Sequence, residues 1–203
     1  MSWNDVVWGQ FGAAIDMLEN AIRACPERVW TQPGAGSAPF WYTALHALYF
    51  LDVYLDTSEE ACVPPAPFAR ADDAPQGATG AACDDGLAAW ARLDGLRLPA
   101  HPYTRDEVLG YLPHGRTKCV RALASMTLDD AAAAADGFPW LGLTRGELML
   151  YNMRHVQHHA AQLNLLLRQG GGPVPAWVRH AAGDARVAGE GEGDGHNARS
   201  LPG

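Results

Sequence analysis

Lysine is all but missing from this chain: Lys118 is the only one. Fifteen basic residues face 23 acidic ones, for a formal net charge of -8. A nucleic-acid binder needs a basic stripe to neutralise phosphates, so that class is excluded, as is a basic amphipathic face for a membrane surface. No apolar run is long enough to cross a bilayer, and Met1-Ser-Trp-Asn-Asp lacks the basic and apolar regions of a signal peptide. The chain therefore reads as cytoplasmic, with a small molecule or another protein as its partner. Cysteine is sparse as well. Cys25, Cys62, Cys83 and Cys119 form no CxxC pair, which excludes a zinc knuckle and fits reduced thiols. Also missing are internal repeats, an alternating strand pattern and the HExxH motif of zinc proteases.

What remains is helical. A 203-residue chain with 48% apolar residues and seven tryptophans can bury one substantial core. Val7, Phe11, Ile15, Leu18 and Ile22 recur at steps of three and four, predicting a first helix from Trp3 to Cys25 that Pro26 stops. A second is expected from the end of the loop at Ser37 to about Asp56, with Tyr42, Leu45, Tyr49 and Val53 on its apolar face. The stretch Thr57–Asp85 is rich in proline and glycine and reads as a long crossover, followed by a short helix near Gly86–Leu93. Thr104-Arg-Asp-Glu107 is a capping box opening a third helix, which Pro113 and Gly115 are expected to kink or delay. Ala131–Ala135 reads as a linker or short helix. A second capping box, Thr144-Arg-Gly-Glu147, opens a fourth helix that Gly170-Gly171-Gly172 ends. The fold class is all-α, a four-helix bundle over residues 1–182, with a disordered tail expected over 183–203.

The chemistry lies in the histidines. His155 and His159 are four apart on the fourth helix and so lie one turn above the other, roughly 40° apart around the axis. Leu148, Gln162 and Leu166 fall in the same sector, which points it at the core. Two stacked imidazoles can hold one divalent metal ion. The alternatives are hydrogen-bonded core histidines, or a helix turned so that the pair faces solvent. His158 lies roughly 100° from His159 and cannot share one ion with both partners, so it is expected near the surface. His46, in Trp41-Tyr-Thr-Ala-Leu-His46, is central to the second helix and is a third candidate, although among Trp41, Tyr42, Tyr49 and Phe50 it also reads as an ordinary core residue. Three histidines with no fourth protein ligand leave an open coordination position, as catalytic sites do. The lone His101, His114 and His180 are expected to be ordinary surface or hydrogen-bonded residues.

These segments, Trp41–His46 and Glu147-Leu-Met-Leu-Tyr-Asn-Met-Arg-His155-Val-Gln-His158-His159-Ala-Ala-Gln162, resemble the DinB-like (YfiT-like) metalloprotein superfamily. The resemblance implies an up-down-down-up bundle, often a homodimer. It also implies zinc or nickel held by His46, His155 and His159. It further implies a thiol-dependent transferase or isomerase using a low-molecular-weight thiol. Ala160-Ala161 replace the arginine and glycine frequent before the glutamine in that family. The expected function is a metal-dependent S-transferase acting on an electrophilic small molecule. The alternatives are a metal-dependent hydrolase and a non-catalytic metal- or ligand-binding dimeric module. Gln162 is a candidate to orient a ligand or bound water.

Overall fold

The computed structural model describes residues 2–32, 38–70 and 95–182. Four long helices carry the fold: α1 (Trp3–Ala24), α3 (Phe40–Val53), α4 (Arg105–Ser125) and α6 (Arg145–Gln169). Short α2 (Glu27–Trp30) and α5 (Leu128–Ala132), with a 3-10 turn at Pro139–Leu141, complete the described elements. No strand occurs among the described residues, only two isolated bridges.

α1 and α3 each pack against both α4 and α6, which makes α1 and α3 diagonal partners in a four-helix bundle. Named contacts give the directions. Asn4 bonds to Met126 and Arg116 pairs with Asp16, so α1 and α4 are antiparallel. Tyr111 reaches Asp52 while Lys118 reaches Asp56, so α3 and α4 run together. His46 meets His155 and Asn152 meets Leu51, so α3 and α6 are antiparallel. Gln157 meets Met17 and Arg28 meets Gly170, so α1 and α6 run together. The order is up-down-down-up, as the family resemblance implied.

In α1 and α3 the predicted periodicity builds the core. Phe11, Ile15, Leu18 and Ile22 of α1 are 0% exposed, and Tyr42, Leu45, Tyr49 and Val53 of α3 are at most 2% exposed. Both predicted capping boxes form, and two more, Ser2 with Asp5 and Thr127 with Asp130, start α1 and α5. Each satisfies two of the free amides at a helix start. α6 ends in a left-handed turn at Gly171 (φ +65°), with the Gly172 N–H donating to the Leu167 carbonyl at 2.8 Å.

α4 corrects the expected delay. It is continuous from Arg105 to Ser125, with Pro113 inside it. Pro113 lies on the exposed face, where water can serve the carbonyl that proline leaves unbonded. Gly115 is buried against α3, and a Cβ there would come within 2.9 Å of Leu51 Cδ2. The glycine thus permits the close approach of α3 and α4 and does not delay the helix.

Residues 71–94 and 183–203 lie outside the described residues. With them lie most of the expected crossover, the expected helix near Gly86–Leu93, Cys83 and the expected tail. Residues 173–182, unassigned from sequence, fold back over α1. The Ala181 and Ala182 amides donate to the Gly9 carbonyl (2.9 Å) and Asp16 Oδ2 (2.7 Å), and the Gln10 amide donates to the Arg179 carbonyl (3.2 Å). Among the described residues no helix is long and apolar enough to cross a membrane.

Candidate metal centre

The antiparallel pairing of α3 with α6 brings His46 opposite His155 and His159. His155 Nε2 lies 3.2 Å from His46 Nε2 and 3.1 Å from His159 Nε2. Ligand nitrogens of all three lie within 4.8 Å of one another. Around a tetrahedral zinc with bonds of about 2.0–2.1 Å, nitrogens are separated by about 3.3–3.4 Å, so the spacing suits one ion. Hydrogen bonding explains it less well. His155 Nε2 has one in-plane site, a lone pair or an N–H, to share between two neighbouring nitrogens.

Two further observations fit lone pairs turned inward. His159 Nδ1 lies 2.7 Å from Gln162 Oε1 and, as oxygen only accepts, carries the proton; its Nε2 lone pair then faces the centre. Burial, with the neighbouring imidazoles of His159, His46 and His158 adding, pushes His155 down to about 3. It is therefore neutral at physiological pH, as a ligand must be. His155 Nδ1 is buried with no hydrogen-bond partner. Aromatic rings close one side: Phe50 stands 4.8 Å from His46 and 5.5 Å from His155, centroid to centroid, and Tyr54 stands 6.0 Å from His155.

The sequence placed this sector in the core, and that is corrected. The buried line of α6 runs through Asn152, Val156, Ala160 and Leu163, all 0% exposed. His155 and His159 are half-buried at the seam with α3, and Gln162 is exposed. The shift follows from chemistry, since an imidazole keeps one polar edge that a fully apolar core would leave unsatisfied. His158 is exposed, as expected, and meets His159 edge-on at 5.2 Å. His101 and His180 are exposed, and His114 is hydrogen-bonded, its Nε2 3.2 Å from the Asp52 carboxylate.

A second polar cluster, on the α4 side of α3, was not foreseen. Asp52 is 0% exposed and accepts from the Tyr111 hydroxyl at 2.9 Å. The Lys118 ammonium donates to the carboxylates of Asp52 and Asp56 and to the Asp52 carbonyl at 3.1 Å. Burial is the largest influence on Lys118 and opposes its charge, but the hydrogen bonds and charges of both aspartates together hold its pKa above the ordinary lysine value. Asp52, Asp56 and Cys62 bring possible ligand atoms within 4.8 Å of one another, yet the ammonium already bridges the two carboxylates. Burial, then the Asp52 charge, pushes the Cys62 thiol up to about 12, so it stays protonated. This cluster carries its own cation. Two features could have signalled it, a lone aspartate inside the apolar run Phe40–Val53 and a single lysine in the whole chain. Asn152, which donates to the Leu51 carbonyl at 3.0 Å, gave no such signal.

The carboxylates nearest the ligands in sequence are engaged elsewhere, Asp52 as above and Glu147 in the cap of Thr144. Cys25, Cys62 and Cys119 are free and buried, and burial raises the pKa of each.

A family model of the DinB superfamily matches residues 10–163, from within α1 to within α6. The chain belongs to the DinB superfamily. No curated protein and no solved structure matches it.

Proposed function

From membership of the DinB superfamily as the premise, we propose that this chain is a divalent-metal-dependent S-transferase. It would join a low-molecular-weight thiol to an electrophilic small molecule, with His46, His155 and His159 as the metal ligands. The observation that carries the reading is the convergence of three imidazole nitrogens with no carboxylate among them. Zinc and nickel both suit imidazole. When bound, the ion supplies an open, positively charged coordination position that favours a thiolate over its thiol at neutral pH.

The chain's own residues prepare that position. Three neutral ligands leave the ion's charge uncompensated, which favours an anionic fourth partner. Gln162 holds His159 in the tautomer that directs its lone pair inward. Phe50 and Tyr54 keep water from one side of the imidazoles. In the transfer the thiol loses its proton to solvent, sulfur forms a bond to the electrophilic carbon, and that carbon's leaving group or π-electron pair is displaced.

A metal-dependent hydrolase is the second enzymatic reading. It usually calls for a general base beside the reacting water, and the engagement of Asp52 and Glu147 elsewhere weighs against it. A non-catalytic dimeric binding module is the third. Exposed Trp3 and Val6 on α1 and Trp140 near α6 are compatible with the homodimer proposed for either role.

The test is metal content per chain in protein purified without added metal or affinity tag, beside His155→Ala. About one zinc or nickel per chain, lost in the variant, supports the centre. A screen of thiols with electrophiles before and after chelation then separates the readings. Conjugation that survives metal removal would overturn the transferase reading, as would a folded, metal-loaded protein that conjugates no thiol.

A further inference from the structure

A cavity of about 710 Å³ opens between α6, the middle of α1 and the returning segment 173–182. Its size falls in the range of small-molecule sites, about 300–1,000 Å³. His155 forms part of its wall, while His46 and His159 do not. It therefore lies against the histidine cluster without containing it. A second cavity, of about 610 Å³, lies at the far end of the bundle, where Asp56 is already paired with Lys118 and Asp130 lies 3.9 Å from Arg145.

The cavity beside His155 has a different chemistry. Its one formally charged lining group is Arg154, exposed and making no hydrogen bond or ion pair among the described residues. In a chain with 23 acidic and 15 basic residues, a cavity with a guanidinium and no carboxylate runs against the overall charge. The imidazole of His158 adds a second polar group. Gln10 and Gln157 add neutral amides, and the rest of the wall beside His155 is apolar or aromatic, with Tyr151, Met153 and Trp177 on it. Trp177 is 69% exposed, although the Arg179, Ala181 and Ala182 backbone bonds anchor its segment to α1. An indole held open at a rim offers a stacking surface, and a guanidinium offers a two-pronged donor that matches a carboxylate.

We propose that this cavity binds a flat, apolar small molecule bearing a carboxylate, the carboxylate on Arg154 and the apolar body against Trp177. Its place beside His155 makes it the seat of the electrophilic co-substrate. That link rests on the transferase reading above, whereas the binding itself does not.

Calorimetric titration with trans-cinnamate and its neutral amide, cinnamamide, tests the site. Cinnamate binds once per chain and the amide about tenfold more weakly or worse, the loss expected when a charge-assisted hydrogen bond is removed. Arg154→Gln brings cinnamate down to the affinity of the amide, while Trp177→Ala weakens both by a similar factor. Circular dichroism confirms that each variant is folded. His46→Ala and chelator-treated protein keep the cinnamate affinity of the untreated protein, so failure of the metal reading leaves this result standing. Equal binding of acid and amide, no effect of Arg154→Gln, or no binding of cinnamate to folded protein at millimolar concentration would overturn the proposal. So would cinnamate binding that disappears with chelation or His46→Ala, because the carboxylate would then sit on the ion.

Discussion

Lys118→Met removes the cation from the most deeply buried charge in the bundle while keeping most of the side-chain volume. Asp52 is 0% exposed and takes three donors, from Tyr111, His114 and Lys118. Breaking a fully buried pair by deleting one partner costs about 3–5 kcal/mol. The Lys118 side chain is 23% exposed, so water can reach part of the vacated space and the cost falls below that range, to about 2–3 kcal/mol. For a domain of this size that is a loss of about 4–12 °C in Tm. Urea unfolding of Lys118→Met, Asp52→Asn and the double variant closes a cycle, with an expected coupling of about 1–3 kcal/mol. The double variant should therefore be more stable than the sum of the singles implies. A single-variant cost below about 0.5 kcal/mol, the scale of an exposed ion pair, would refute the reasoning. So would strict additivity, which would mean that Asp52 does not depend on the ammonium.

Other consequences follow from the same contacts. Gln162→Ala should weaken metal affinity about 10–100-fold by releasing the His159 tautomer, read by competition with a chelator; a change under about twofold would remove Gln162 from the centre. Metal at 100 times its Kd should stabilise the wild-type protein by about 2.7 kcal/mol and His155→Ala hardly at all, and equal shifts in thermal unfolding would place the ion elsewhere. Gly115→Val should destabilise by about 1–3 kcal/mol in urea, since even its Cβ would lie within 2.9 Å of Leu51; an unchanged midpoint would mean that α3 and α4 can separate without penalty. Hydrogen bonds from Thr104 and Thr144 hold Glu107 and Glu147 below the ordinary carboxylate value of 4.5. Their stabilisation is thus complete above that value and lost as pH falls through the lower folded values. The Tm advantage of wild type over Glu107→Gln/Glu147→Gln should accordingly vanish in acid, and a gap that persists there would deny the caps this role.

The bundle was legible because its signals are local. Apolar steps of three and four define α1, and Thr104/Glu107 and Thr144/Glu147 announce two helix starts within four residues each. The histidine group was partly legible for the same reason, since His155 and His159 need only helical geometry to align. His46 needed the antiparallel packing of α3 on α6, which periodicity does not encode and the family resemblance supplied. The exact meridian was misread because Leu148 and Leu166 flank the seam, and a sector bounded by leucines looks like core. What was not legible depends on contacts between distant segments. Asp52 with Lys118 spans 66 residues, and residues 173–182 reach back to Gly9 and Asp16. The delay expected at Pro113 does not occur, because a proline's effect depends on which face it occupies, and that is set by packing.

α3 carries both polar clusters, and they differ in one respect that bears on function. Its α4 side buries Asp52 and its α6 side holds His46, so each seam of this apolar helix contains groups that demand a partner. At Asp52 the chain provides that partner itself: the sole lysine bridges two aspartates, and the cluster closes on its own side chains. At the histidines the chain contributes three imidazoles, one hydrogen-bonded to Gln162 and one neutral through burial, and on the proposed reading their cation would come from outside. The difference makes a stoichiometric claim. A chain with two vacant cation sites would take up two ions, whereas this one should take up one. In Lys118→Met the vacated carboxylates should become available to a divalent cation, so uptake should rise toward two per chain without disturbing the first. A wild-type protein that binds two zinc ions of similar affinity would show that the ammonium does not hold its place, and with it would fall the separation of the two seams into structure and chemistry.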